Sequence, residues 1–356
     1  MGMIGVIADE GKPERDVRRI LADLLDDLHS GEDADGTRTL TGTYPGVGTL
    51  KFRVETVPLS PDGSVMLATY AERILHTHGW DRLIYVTDLP LPAWNRPVVS
   101  QRATRHDATL ISLPALGMLG VRGRLRDELV ALIEDGQAHQ GVPGRPASDP
   151  EGDDAAELDS RILDHRGRNR RLLSGMIRCN EPGQLLRVLS SSLAAIAATG
   201  GFGIFYGSIW NLAEVLSIPR LLMISLVAVL GFAGWLIVHN RLWHRSGTQE
   251  TRWRERIDNL ATIGTIGLTT LIIYGLALMV MLVSAITVIP PDYLESELGR
   301  TVDPFTYVSI AWLSASLGTM AGALGSNFDR DVEIRSATYN LREYQRRMQA
   351  GHYLDD

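Results

Sequence analysis

Apolar positions in this chain keep a mixed strand and helix rhythm over the first third and then run unbroken for long stretches. Met3 to Ala8 is a short apolar run of strand length, and from Pro13 to His29 apolar residues recur at helical spacing through Val17, Ile20, Leu21, Leu24, Leu25 and Leu28. Leu50 to Val57 alternates, Val65 to His78 is helical again through Met66, Leu67, Tyr70, Ile74 and Leu75, and Leu83 to Val86 is a second buried run. The order β-α-β-α-β predicts a parallel sheet covered by helices on both faces. Pro97 to Ser100 and Ala108 to Leu113 read as two further strands that pair as a hairpin, and Arg122 to Ile133 as a closing helix.

Beyond Arg187 the charges thin out. Val188 to Ala213, Leu221 to Asn240, Leu260 to Pro291 and Pro304 to Phe328 carry none, and each reaches the roughly 20 residues a helix needs to cross a hydrocarbon core. The expected fold is an α/β N-terminal soluble domain joined to an all-α transmembrane domain of four helices. Its divisions are residues 1–136 for the α/β domain, 137–160 for a flexible acidic linker and 161–187 for a basic segment that lies amphipathically at the lipid headgroups. Residues 188–328 hold the four helices and 329–356 a cytosolic tail. Residues 1 to about 140 are expected to fold without the rest, because the alternating pattern supplies a core of its own.

Charge sets the orientation. Arg166, Arg168, Arg170, Arg171, Arg178 and Arg187 precede the first span, and Arg241, Arg245, Arg252, Arg254 and Arg256 lie between the second and third. Basic connections stay inside, which puts both termini in the cytoplasm and the protein in a bacterial inner membrane, with the bilayer as a partner. Opposite them, one connection has Arg220 as its only basic residue, and the other sets Arg300 among Asp292, Glu295, Glu297 and Asp303.

Composition then narrows the function. The formal net charge of −7 is spread over the whole chain, so no field suited to nucleic acid arises. Of the 35 basic residues only Lys12 and Lys51 are lysine, a high-GC proteome background. The single cysteine, Cys179, excludes an internal disulfide, and no Cys/His set has zinc spacing. The N-terminus lacks the basic n-region of a signal peptide.

If the first three strands take the order 2-1-3, a ligand crevice opens between strands 1 and 3, where Asp9, Glu10 and Asp88 gather. Such carboxylates can hold Mg²⁺. Asp9 and Asp88 are also common turn and cap acceptors, the reading their positions favour, so the three are retained as ligand-binding candidates with no metal, cofactor or catalytic residue assigned. Gly46 and Gly48 precede a strand and do not meet the dinucleotide fingerprint, and no phosphate-binding loop motif occurs. His76 and His78 point to different helix faces. In the spans, Gly203 with Gly207 and Gly318 with Gly322 are candidate close-packing pairs, within the chain or in a homo-oligomer. Hydroxyls at Ser190, Ser191, Ser192, Thr269, Thr270, Ser314 and Ser316 either line a polar path or bond to their own helices.

The run LIYVTDLPLPAWNRPVVSQRATRHDATLISLPALGML resembles the archaemetzincin-type zincins in its order of elements. The helix that would carry HExxH reads RGRLRDELVALIEDG, without histidine, so the resemblance implies a domain without peptidase activity. Three functional expectations follow: a membrane-anchored α/β domain that binds a cytosolic protein or small ligand, a passive channel gated by that domain, and a tethered enzyme using the carboxylates. Only the first has positive support in the residues.

Overall fold

The computed structural model describes residues 2–33, 36–57, 59, 65, 67–93, 96–103, 106–134, 158–163, 167–243 and 252–326. The chain forms two compact units: the first holds Met1–Cys179 with Thr248–Ile257 and Arg342–Asp356, and the second Asn180–Gly247 with Asp258–Leu341.

The first unit is a mixed sheet with helices. Its strands are β1 (Gly2–Ala8), β2 (Asp26–Glu32), β3 (Arg38–Tyr44), β4 (Gly48–Val54), β5 (Arg82–Thr87), β6 (Leu91–Ala93), β7 (Arg96–Ala103), β8 (Ala108–Ser112) and β9 (Leu158–Ile162), in the order β2-β3-β4-β1-β5-β8-β7-β6 with β9 on β7. The inner four strands are parallel, and β1 and β5 are buried along almost their whole length, as strands covered on both faces must be. The order 2-1-3 expected for the first three predicted strands is therefore present as β4-β1-β5, and the hairpin of β7 with β8 is antiparallel as expected.

The helices are α1 (Lys12–Leu24), α2 (Leu67–His78), α3 (Val121–Glu134) and α4 (Arg168–Cys179), with a 3-10 turn at Pro114–Leu116. Pro13 opens α1, where its fixed φ suits the first turn, and Val17, Ile20 and Leu21 are buried beneath it.

Three features differ from the expectation. The helix expected to reach His29 stops at Leu24, because Leu25 turns extended and Asp27 takes a left-handed φ of 49°. The chain then forms the β2–β3 hairpin, whose outer strand is exposed throughout. Residues 158–162, assigned to a linker and a headgroup segment, are instead strand β9 in the sheet. Helix α4, also expected at the headgroups, packs its apolar side on the sheet unit. Gly175 makes that possible, since a Cβ there would lie 2.0 Å from the Pro114 carbonyl oxygen. The rest of the expected linker, 137–157, and the tail at 329–356 lie outside the described residues.

The second unit is helical: α5 (Pro182–Val188), α6 (Ser190–Phe205), α7 (Gly207–Val215), α8 (Ile218–His239), α9 (Arg252–Val288), α10 (Pro291–Leu298) and α11 (Pro304–Gly325). Among the described residues three helices, α8, α9 and α11, are long and apolar enough to cross a membrane, or four spans are counted if α6 and α7 are taken as one. They do not form the continuous helix expected over 188–213. The chain bends by 85° between them, with Tyr206 extended at the break. Trp210 pins the bend: its Nε1 donates to the Ile204 carbonyl at 3.2 Å, and its ring meets Tyr293 of α10 edge-on at 5.8 Å.

Helix α11 is the centre of this unit, with 61% of its apolar window buried against 22% for α9. Its contacts run along α6 and α8. The opposite helix faces carry exposed Leu222, Met223, Leu226 and Leu230 on α8, and Leu271, Met279, Val283 and Ile286 on α9.

Candidate functional site

The crevice at the carboxyl ends of β1 and β5 holds two of the three candidate carboxylates. Asp9 follows β1 and is fully buried, Asp88 follows β5 and is buried, and Glu10 points out to solvent. The Tyr85 hydroxyl donates to Asp9 Oδ1 at 2.5 Å, and the Thr87 hydroxyl and the Asp88 backbone N–H donate to Asp9 Oδ2 at 2.6 and 3.1 Å. The Asp9 carbonyl accepts from the Glu14 N–H at 3.1 Å, which ties the same residue to the first turn of α1. The Thr87 oxygen in turn accepts from the Leu89 N–H, and Ser112 at the end of β8 donates to the Leu89 carbonyl.

This arrangement spends both Asp9 oxygens on donors of the protein. A buried carboxylate with three donors is stabilised where it sits, and the resulting network joins the ends of β1, β5 and β8. Among the described residues, no group of three or more His, Cys, Asp or Glu side chains is placed to hold a metal ion. Tyr85 and Thr87 are the partners missed in the sequence. Their signal was legible: two hydroxyl residues two apart, on one face of an otherwise aliphatic strand.

Neither a protein-family model nor a curated protein matches the chain. A structural likeness is found to a futalosine hydrolase mutant from Helicobacter pylori, at a TM-score of 0.20 and 12% identity, covering 29% of this chain and 45% of that one. The chain thus spans less than half of that enzyme, and the likeness says nothing about activity here. Helix α3 carries no histidine.

One further buried carboxylate, Asp16, was not anticipated. Asp16 lies on the inner face of α1 with no exposed surface. Arg178 of α4 approaches it at 2.6 Å, Arg122 of α3 at 3.3 Å and Lys12 at 3.9 Å. One carboxylate therefore holds three helices. The signal was an acidic residue on the stripe of Pro13, Val17, Ile20 and Leu21, where apolar spacing alone predicts core.

Elsewhere in this unit His78 stacks on Trp80 at 4.7 Å between ring centres. Burial first, then the nearby Arg53 guanidinium, holds its pKa below the usual histidine range. His76 takes no part in that stack.

In the helical unit, the small-residue pairs meet other helices of the same chain. A Cβ at Gly203 would lie 2.2 Å from Ser314 Oγ, one at Gly318 would lie 2.6 Å from the Ile196 carbonyl oxygen, and one at Gly322 would lie 2.6 Å from Ile196 Cγ1. Gly207 lies against Glu297 of α10. These faces are filled within one chain, so a homo-oligomer needs other surfaces. Of the candidate hydroxyls, Thr269, Thr270 and Ser316 each donate to the carbonyl four residues earlier at 2.9 Å, as Thr319 does at 2.8 Å. Ser225, Tyr274 and Ser316 also bond across α8, α9 and α11, with Trp312 Nε1 donating to Ser225 at 2.6 Å.

Proposed function

We propose that the protein is a multi-pass inner-membrane protein whose helices anchor and assemble an α/β domain in the cytoplasm, where that domain binds a protein or a small ligand. The observation that supports this reading most is the inverted surface of the helical unit. Large aliphatic side chains of α8 and α9 face outward, while Thr265, Thr269, Thr270, Ser314 and Ser316 are enclosed. A soluble bundle would place these sets the other way round. Thr269, Thr270 and Ser316 among them bond to their own helices, and Ser316 also bonds across to Tyr274, contacts that count where lipid supplies no hydrophobic drive.

Topology reporters test the reading. One fused after Asp356 is expected to report cytoplasm, and one inserted between Asp292 and Asp303 to report the periplasm. A periplasmic C-terminus would overturn the arrangement with an even number of crossings, and release of the chain by alkaline carbonate would overturn the membrane reading altogether.

A further inference from the structure

Among the described residues of the α/β unit, Leu28, Met118 and Leu119 are the large hydrophobic side chains left exposed, at 38%, 47% and 79%. Two of the three are adjacent. They form the tip of the turn between the 3-10 segment and α3, bounded by Gly117 and Gly120, whose φ angles of 86° and 64° suit glycine. Leaving a leucine four-fifths exposed on an otherwise well-covered unit is unfavourable in water, and an exposed apolar tip ringed by polar groups marks a contact surface.

The helices that follow and underlie this tip are basic: Arg122 and Arg124 are exposed on the first turn of α3, and Arg170 is exposed on α4. Arg171 of α4 passes directly beneath the turn, since a Cβ on Gly117 would lie 2.9 Å from Arg171 Cγ and 3.6 Å from Arg124 Nη1. Arg124 is held in place by donating to the Leu116 carbonyl. Burial first, then the neighbouring Arg124 and Arg161, presses the Arg171 pKa below the usual arginine value. The acids close by are largely committed: Glu128 pairs with Arg161, and Asp16 is the partner of Arg122 beneath the surface, leaving Asp127 as the exposed acid of this helix segment.

We propose that this tip docks on an anionic phospholipid surface, with Met118 and Leu119 entering the interfacial layer and the surrounding arginines meeting lipid phosphates. An apolar wedge flanked by guanidinium groups matches that surface in both chemistries, because arginine pairs phosphate oxygens bidentately while the aliphatic side chains leave water. Chain connection keeps the lipid within reach. Arg171 precedes Cys179, the end of α4, by eight residues, about 12 Å along a helix, and the helices of the second unit follow directly in the chain. The inference rests on the multi-pass reading and adds a peripheral contact to it.

The test uses the full chain reconstituted in vesicles, with Leu119→Cys carrying a polarity-sensitive fluorophore and the parent chain, whose Cys179 is buried, as the labelling control. In vesicles of phosphatidylcholine mixed with phosphatidylglycerol the label is expected to shift to the blue and to be quenched by spin-labelled lipid. In phosphatidylcholine alone, or in high salt, both effects are expected to fall. Combining Arg124→Glu with Arg170→Glu, at two exposed positions, is expected to weaken the lipid contact by more than about tenfold, at roughly 1 kcal/mol for each basic residue near an anionic surface. Arg124→Gln with Arg170→Gln, which removes charge without reversing it, is expected to show an intermediate loss.

A label that stays in water in every vesicle overturns the proposal. So does lipid contact that ignores phosphatidylglycerol, or a label that responds equally to inorganic phosphate without vesicles, which would assign the arginines to a soluble ligand. Carbonate extraction of the same vesicles separates the two levels: a chain that resists extraction but keeps Leu119 in water loses the docking surface and retains its spans.

Discussion

At the scale of single residues, Asp9 decides what the crevice can do. Its two oxygens already accept from Tyr85, Thr87 and the Asp88 N–H, so a cation arriving there would have to displace donors that the fold itself requires. The expected outcome is that Mg²⁺ and Mn²⁺ leave the melting temperature of the protein unchanged. Asp9→Asn is expected to cost about 1–3 kcal/mol, because its amide NH₂ faces a donor where an acceptor stood and leaves a buried group unsatisfied. Asp9→Leu is expected to cost more. Thermal melts of the three proteins with and without metal check this, and a metal-dependent rise of several degrees that Asp9→Asn abolishes would restore the ligand reading. That Asp9 and Asp88 lie together was legible from the strand order. That Asp9 is enclosed by hydroxyls was not, because the register that brings Tyr85 and Thr87 to it arises from β1 pairing with β5, a contact between positions more than seventy residues apart.

At the scale of elements, legibility followed the strength of the apolar rhythm. β1, β4, β5 and the helices α2 and α3 each carry a clear period and occur close to where that period places them. The β2–β3 hairpin lacks one, since Asp26 to Glu32 has no buried face at all, and the strand exists through pairing with β3. The break at Tyr206 is likewise invisible to hydropathy, which averages over α6 and α7 and registers only that both are apolar. Here the glycines carry the argument. Helices α6 and α11 approach so closely that Gly318→Leu must drive a side chain into the Ile196 carbonyl. A loss of about 1–3 kcal/mol, typical of overpacking, is expected, read as a lower melting temperature in detergent. Gly267→Ala meets nothing within 4 Å and is expected to be neutral or slightly stabilising as a better helix former. Equal effects of the two substitutions would show that the α6–α11 contact does not hold the unit together.

At the scale of the whole molecule, the two units were legible as units, because an alternating region and a charge-poor region differ in every local property, but the sequence position at which one gives way to the other was not. Composition places the break at 136, where apolar residues become scarce; the first unit extends past it through β9 and α4 to Cys179, and takes in Thr248–Ile257 and Arg342–Asp356 as well. This difference has a consequence that fragments can test. A chain ending near residue 140 lacks β9, which leaves one edge of β7 unpaired and so open to association with other chains. It also lacks Arg178, the nearest partner of the fully buried Asp16 carboxylate, and removing one partner of a buried ion pair typically costs several kcal/mol because the remaining charge stays out of water. Residues 1–179 are therefore expected to give a cooperatively folding fragment, whereas residues 1–140 are expected to melt at a clearly lower temperature or to aggregate. The variant Asp16→Asn separates the two causes. In the short fragment, where Asp16 keeps only Arg122 and Lys12, it relieves an under-compensated buried charge and is expected to recover part of the lost stability, while in the long fragment it removes a satisfied ion pair and is expected to be destabilising. Equal stability of the two fragments would show that α4 and β9 merely lean on a domain already complete at residue 140.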